Sequence, residues 1–399
     1  MTPITHDGRL LEIMKNPTFS GYWFGTLVLQ IVFQTQTLLF AWSWSGGQVD
    51  GAFWVYVASN APFAILTLFV GYLGDRYSRK GLHFIGQILI GLGFVLSAVY
   101  FMGNPSFALG LCALLILNAG ISIRGPSYQA TIISLFGKDD VDTVLSVHGL
   151  AVSIAKLAGP LFVAFVIHQS LTALPALAGI VACLWTVMVI VAWDKAEWRT
   201  SSSHGLAPVS AIPRIDPASV KDLFLVGALA FGCCSVQTLL PSLVRLHFGD
   251  NATLYTLLMV FFGVGALLGT FSGRFSLRLF GRFERVVLTL IFSASTTLFA
   301  LTSQWVIHSV ALLCCGCALF ILFVRLCGSL TRAFAPAQRA FGLSLYFFSN
   351  YLGGTLGALA WGMIARFQGA DSALVMASIL VLLLGLVMFN QQRHRIAQP

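Results

Sequence analysis

The sequence predicts an all-α membrane protein: twelve transmembrane helices in two six-helix halves. Three observations carry that expectation. The 399-residue chain is 57% hydrophobic and 9% charged, with 33 Phe, a composition outside the range of soluble globular domains. Twelve apolar runs are each long enough to cross ~30 Å of hydrocarbon. The charges sit between the runs, with the bases concentrated on alternate loops. That pattern sets membrane orientation and argues against a nucleic-acid-binding face, despite a net charge of +9.

The spans are expected near 20–42, 52–71, 82–102, 107–132, 143–168, 173–193, 222–244, 252–273, 286–304, 308–331, 341–366 and 371–390. The first run follows Asp7 and Glu12 and is too long for the core of a secretory signal, so it reads as a membrane helix. Within it Gln30, Gln34 and Thr37 recur at i, i+4 and i+7 and share a face. The second and third runs flank Gly71–Lys80, a turn dense in charge: Asp75, Arg76, Arg79 and Lys80. Arg124 lies inside the fourth run, and His148 and Lys156 inside the fifth.

A polar interval, Asp194–Lys221, contains three serines in a row and three prolines. It divides an N-terminal half, 1–193, from a C-terminal half, 222–399, with 194–221 as a cytoplasmic linker. In the second half, the seventh run carries Gln237 and Thr238, the tenth Arg325, and the eleventh Tyr346 and Asn350. The eight cysteines all fall in apolar runs, where they staple no loop. Cys314-Cys315-Gly316-Cys317 reads as small residues easing helix packing and not as a metal site.

An even number of spans puts both termini on one side. That side receives most of the 23 Lys and Arg, whereas the other has Arg245 and Arg366. The base-rich side is therefore expected to be cytoplasmic. The halves also echo each other. Gly269-Thr270-Phe271-Ser272-Gly273-Arg274 follows the Gly71 stretch by 198 residues, and Arg325 follows Arg124 by 201.

Gly71, Leu73, Asp75, Arg76, Arg79 and Lys80 match G-x-L-x-D-R-x-G-R-K, with Ser78 in place of the second glycine. The chain thus resembles the major facilitator superfamily. The resemblance implies two related halves about an axis along the membrane normal, a substrate site between them near the midplane, and alternating access. It also implies gating by Gly71, Gly74, Asp75, Arg76, Arg79 and Lys80, with Asp75 and Arg76 holding cytoplasmic helix ends together. Gly149 and Gly159-Pro160 resemble the antiporter signature of drug exporters, although Val163 and Ala164 replace its trailing glycines. Arg124-Gly125-Pro126, followed by Gly137-Lys138-Asp139-Asp140, resembles the group that includes enterobactin-type siderophore exporters. Leu114 stands where drug exporters usually carry Arg. Gly342–Tyr346 and Tyr351–Gly354 resemble bacterial drug and sugar efflux members.

Charge inside a membrane span is costly and points to function. Three such groups stand out: Arg124, Lys156 and Arg325. Snorkelling toward the cytoplasmic interface is the competing reading of the two arginines. All 14 acids fall in loops or at helix ends, so the interior is expected to hold basic groups and no carboxylate. A substrate of negative charge would then supply the counter-ion. Gln30, Gln34, Arg124, Lys156, Gln237, Arg325, Tyr346 and Asn350 are the expected binding residues. For Gln30, Gln34 and Gln237, hydrogen bonding between helices is the alternative.

The expected activity is secondary active export of an anionic or polar organic molecule, such as a carboxylate siderophore, coupled to protons. His148, Lys156 and Asp75 are the coupling candidates, and His148 also fits a plain packing role. An importer or anion exchanger of the same fold is the alternative, and a non-transporting scaffold or sensor a third. No nucleophile–base or metal constellation is visible, so no enzyme, catalytic residue, metal or cofactor is expected. The expected setting is a bacterial inner membrane, with the lipid bilayer, substrate, and protons or a counter-anion as partners, no nucleic acid, and a monomeric chain.

Overall fold

The computed structural model describes residues 15, 17–46, 51–76, 79–103, 105–136, 141–192, 217–333 and 339–397. Within these, the side chains of 18, 68, 71–76, 79, 126–136, 141–150, 217, 218, 273, 274, 282, 331–333, 339–341, 343 and 390–397 are outside the description. Among the described residues twelve α-helices follow in order: α1 Pro17–Trp44, α2 Ala52–Arg76, α3 Arg79–Phe101, α4 Phe107–Phe136, α5 Val141–His168 and α6 Leu174–Ala192. Then come α7 Pro217–Phe248, α8 Ala252–Phe280, α9 Glu284–Leu301, α10 Trp305–Ala333, α11 Arg339–Gln368 and α12 Ala370–Ala397. A 3₁₀ turn, Gly281–Phe283, joins α8 to α9.

Each expected span has its helix. Ten are long and apolar enough to cross a membrane, and α2 contributes a shorter apolar stretch, Ala52–Thr67. The helix α11 is more polar, with Ser344, Tyr346, Ser349, Asn350, Tyr351 and Thr355 along about three turns. Helix α7 starts at Pro217, inside the interval expected as linker. Proline suits the first turn of a helix, because its missing N–H would have no intrahelical acceptor there. The rest of that interval, 193–216, lies outside the described residues.

Two compact units emerge from the contacts. The first draws on 1–37 and 65–214, the second on 38–64 and 215–399. The first two helices therefore serve both units, although in sequence they precede the linker.

In the first unit Leu29, Val32, Ile90, Phe94, Leu117, Ala182 and Cys183 form a buried cluster from α1, α3, α4 and α6. Helices α3 and α4 approach backbone to backbone. A Cβ on Gly120 would lie 2.6 Å from Gly86 O, and one on Gly86 2.8 Å from Gly120 O. Gln87 of α3 reaches across to α6, donating to Cys183 O at 3.3 Å and to Thr186 Oγ1. In lipid such contacts matter, because helix association relies on close packing and polar links in place of a hydrophobic drive.

The second unit follows the same rule. Trp361 Nε1 of α11 donates to Phe231 O of α7 at 2.7 Å, and Ser349 Oγ to Leu223 O at 2.6 Å. Ser293 of α9 donates to Ser378 O of α12 at 2.7 Å. Helices α8 and α10 meet at Gly265 and Gly316, where an added Cβ would run into Leu313 O and Phe262 O. Gly265→Ala is expected to push these helices apart and lower the thermal midpoint of the purified protein by several degrees. Ala at Gly281, just past the end of α8, is not a fair control, because Gly281 has φ 53° and strains any other residue. Thr270→Ala, which removes only a hydroxyl bonded within its own helix, is the control.

Candidate functional site

Two polar centres stand out among the buried residues, one in each unit. In the first unit Arg124 of α4 is 7% exposed. Its Nε donates to Tyr22 Oη at 3.3 Å and its Nη2 to Thr26 Oγ1 at 2.7 Å. The guanidinium carbon stands 5.6 Å from the centre of the Tyr22 ring. Tyr22 Oη in turn lies 3.1 Å from Nε2 of His83 on α3. Since Tyr22 accepts from the arginine, its own proton can be donated to Nε2 of a His83 that carries its hydrogen on Nδ1. Tyr22, Thr26 and His83 are all buried, so α1 orients the guanidinium directly and α3 does so through Tyr22.

Tyr22 and Thr26 extend the polar stripe of α1 backwards by two turns: Tyr22, Thr26, Gln30 and Gln34 are spaced by four. Gln30 and Gln34 are half-buried. A Cβ on Gly159 would lie 2.8 Å from Gln34 Cβ, and Thr35 Oγ1 donates to Gly159 O at 3.2 Å. Helix α5 thus packs on α1 at this level. Lys156, half-buried, is one turn before Gly159 on α5. Gln36 is fully buried, and neither of its amide atoms has a hydrogen-bond partner among the described residues. It lies off the stripe, which is why periodicity did not single it out.

In the second unit Arg325 of α10 pairs with Glu284, the first residue of α9. Arg325 Nε is 3.0 Å from Oε2, and Nη2 donates to Oε1 at 3.3 Å. The Glu284 side chain is 5% exposed and that of Arg325 29%. This corrects the expectation of an interior without carboxylates. Glu284 has the position of a loop acid, between Arg282 and Arg285, but the helix begins on it and turns its side chain inward. Arg325 therefore arrives with its own counter-ion. Glu284 follows His83 by 201 residues, as Arg325 follows Arg124. The two halves thus set a titratable side chain at equivalent positions of their third helices, near the arginine of the fourth.

The other expected binding residues divide between the units. Gln30, Gln34, Arg124 and Lys156 belong to the first, and Gln237, Arg325, Tyr346 and Asn350 to the second. Gln237 is half-buried. Tyr346 is buried and its hydroxyl donates to Phe323 O of α10 at 3.2 Å, a link between helices. Asn350 is half-buried, and its Oδ1 is buried with no hydrogen-bond partner among the described residues.

The gating side chains Gly71, Gly74, Asp75, Arg76 and Arg79, and the His148 side chain, lie outside the described residues. The backbone puts Asp75 and Arg76 at the last two positions of α2, and Arg79 and Lys80 at the first two of α3. Lys80 is half-buried. Among the described residues no cluster of three or more His, Cys, Asp or Glu is arranged to hold a metal ion.

The family model for transmembrane secretion effectors matches residues 11–398. A search of curated protein sequences returns no match. Several solved structures share the architecture. The nucleoside transporter NupG superposes with a TM-score of 0.68 at 14% identity, over 92% of this chain and 98% of that one. A POT family transporter in complex with 5-aminolevulinic acid gives 0.70 at 11% identity, over 94% and 96%. The human organic anion transporter MFSD10 gives 0.62 at 15% identity, over 92% and 98%. At these identities the likeness is one of fold.

Proposed function

The chain belongs to the transmembrane secretion effector family, a membrane transporter with the major facilitator fold, and from that premise we propose that it exports an anionic or polar organic molecule by alternating access. The observation that carries this reading is the charge of the first six helices. They hold Arg124 and Lys156 in their interior, while their only acids are Asp75 and Asp142, each next to a helix end. A guanidinium oriented by hydroxyls suits bidentate recognition of a carboxylate. Carboxylate siderophores and related metabolites fit that chemistry, and lipophilic cations do not.

In this reading Gln30, Gln34, Lys156, Gln237 and Asn350 add hydrogen bonds to the substrate. Asp75 and Arg76, with Gly71, Gly74, Arg79 and Lys80, latch the cytoplasmic ends of α2 and α3. Both termini face the cytoplasm of a bacterium whose inner membrane the chain spans as a monomer. Proton coupling runs through Lys156, His148 or Asp75. In this reading Arg124, not Arg325, takes the negative charge of the substrate, because Arg325 already pairs with Glu284.

Transport in proteoliposomes under an imposed pH gradient tests the reading. A panel of carboxylate-bearing and cationic substrates is compared in wild type and Lys156→Ala. Anion flux that follows the gradient and falls about tenfold or more in the variant is the expected result. Anion flux indifferent to pH would favour exchange, and inward accumulation would favour import. Cation flux unaffected by Lys156→Ala would sink the proposal.

A further inference from the structure

The segment Leu38–Ala64 precedes the linker by well over a hundred residues, yet it clusters with residues 215–399. A single guanidinium does much to hold it there. Arg245, in the last turn of α7, donates through Nε to Ser45 Oγ at 2.8 Å and through Nη2 to Trp42 O at 3.2 Å. Its Nη1 lies 2.8 Å from Asp250 Oδ1. Its Cζ stands 4.2 Å from the centre of the Trp42 ring. Trp42 also stacks with Tyr255 at the start of α8, at 5.3 Å between centroids and 19° between planes. A Cβ on Gly46 would come within 2.6 Å of Arg245 Nη1, so the chain leaving α1 passes directly under the guanidinium.

A second seam runs from α2 to α11. Phe63 stacks on Tyr351 at 4.5 Å and 21°. A Cβ on Gly354 would meet Asn60 Cγ at 3.4 Å, and one on Gly362 would run into the Phe53 ring. This seam is made of ring faces and glycines. The α1–α7 contact differs in kind. It is charged and partly wet: the side chains of Arg245 and Asp250 are 25% and 75% exposed. A partly exposed guanidinium can trade protein acceptors for water, and its pairing with an exposed carboxylate is weak. A contact of that kind opens reversibly, unlike a dry core.

We propose that Arg245 is the latch of the non-cytoplasmic entrance. It holds the α1–α2 connection, residues 38–64, against α7 and α8, and it must release Trp42 and Ser45 each time the transporter opens outward. The proposal rests on the alternating-access reading above and adds to it the residue that times one of its two openings. Release swings the Trp42 ring away from Tyr255 and separates the α2–α11 seam behind it. Asp250 keeps the freed guanidinium near its post, so reclosure needs no search.

The test reads opening without a substrate. The eight native cysteines are replaced by Ala or Ser, and Thr256→Cys is introduced as a reporter beside Tyr255; Thr256 is 1% exposed. Membrane-impermeant maleimide is then added from outside. Arg245→Ala is expected to raise the labelling rate about tenfold. Arg245→Lys, which keeps the charge and loses the fork, should fall between. An unchanged rate in Arg245→Ala would overturn the proposal. A general loosening of the fold is separated from latch release by a second reporter, Ser97→Cys, buried in the first unit on α3. Its labelling should stay constant, and a matching rise there would also overturn the proposal. Because labelling needs no flux, a failed transport reading leaves this result standing, and a failed latch leaves transport standing.

Discussion

Replacing Arg124 by Ala is expected to cost both stability and transport, and replacing it by Lys should rescue neither. The guanidinium serves Tyr22 and Thr26 at once. Without it, two buried hydroxyl groups lose a charged donor, and each such loss costs about 1–3 kcal/mol. Lys offers a single ammonium and cannot reach Tyr22 and Thr26 in the geometry of a planar fork. If substrate recognition also uses this guanidinium, a loss of ~3 kcal/mol in binding the transported state lowers flux about a hundredfold. Thermal unfolding in detergent, measured beside flux in proteoliposomes, separates the two effects. Tyr22→Phe is the informative companion. It breaks the link from Arg124 to His83 while leaving Thr26 in place, so it should lower the midpoint less than Arg124→Ala. An Arg124→Lys protein with wild-type midpoint and wild-type flux would mean that the charge alone matters and the fork does not.

The fold was legible because a bilayer makes simple demands. A span must be long and apolar, and loops must carry the charge. Hence the run expected at 20–42 became α1, Pro17–Trp44, and that at 308–331 became α10, Trp305–Ala333. The grouping of 38–64 with the second half was not legible. It depends on Arg245 and Trp42, about two hundred residues apart, and no periodicity records a pairing at that distance. The site was legible in its charges and obscure in their partners. Arg124 and Arg325 stood out as costly groups in apolar runs. Tyr22 and Thr26 were within reach of the same i, i+4 arithmetic that found Gln30 and Gln34, had it been carried back two turns. His83 gave no such signal, since a lone histidine near a helix start is as consistent with an interface as with a core. Glu284 was hidden by its flanks, because a carboxylate between two arginines looks solvated until the helix start is known.

The ion pair of Glu284 and Arg325 makes the sharpest energetic prediction. Removing one partner of a buried pair leaves the other charge without compensation, at about 3–5 kcal/mol. Arg325 is 29% exposed, and solvent screening places the cost at the low end of that range. Glu284→Gln is therefore expected to destabilise the second unit by about 3 kcal/mol, and Arg325→Met by at least as much, since it strands the more buried of the two charges. The double variant strands neither. It should recover more than half of the summed loss, because a well-packed neutral pair is often as stable as the ions it replaces. A double-mutant cycle by thermal or denaturant unfolding in detergent measures this coupling. Additive losses would mean that the two side chains act independently, and that Glu284 is not what neutralises Arg325. In that case Arg325 would return to the set of groups able to hold an anion. If the coupling is found, the two halves differ where their repeat is otherwise closest. One arginine is held by hydroxyls beside a histidine, the other by a carboxylate, and only the first is suited to exchange its partners for a substrate.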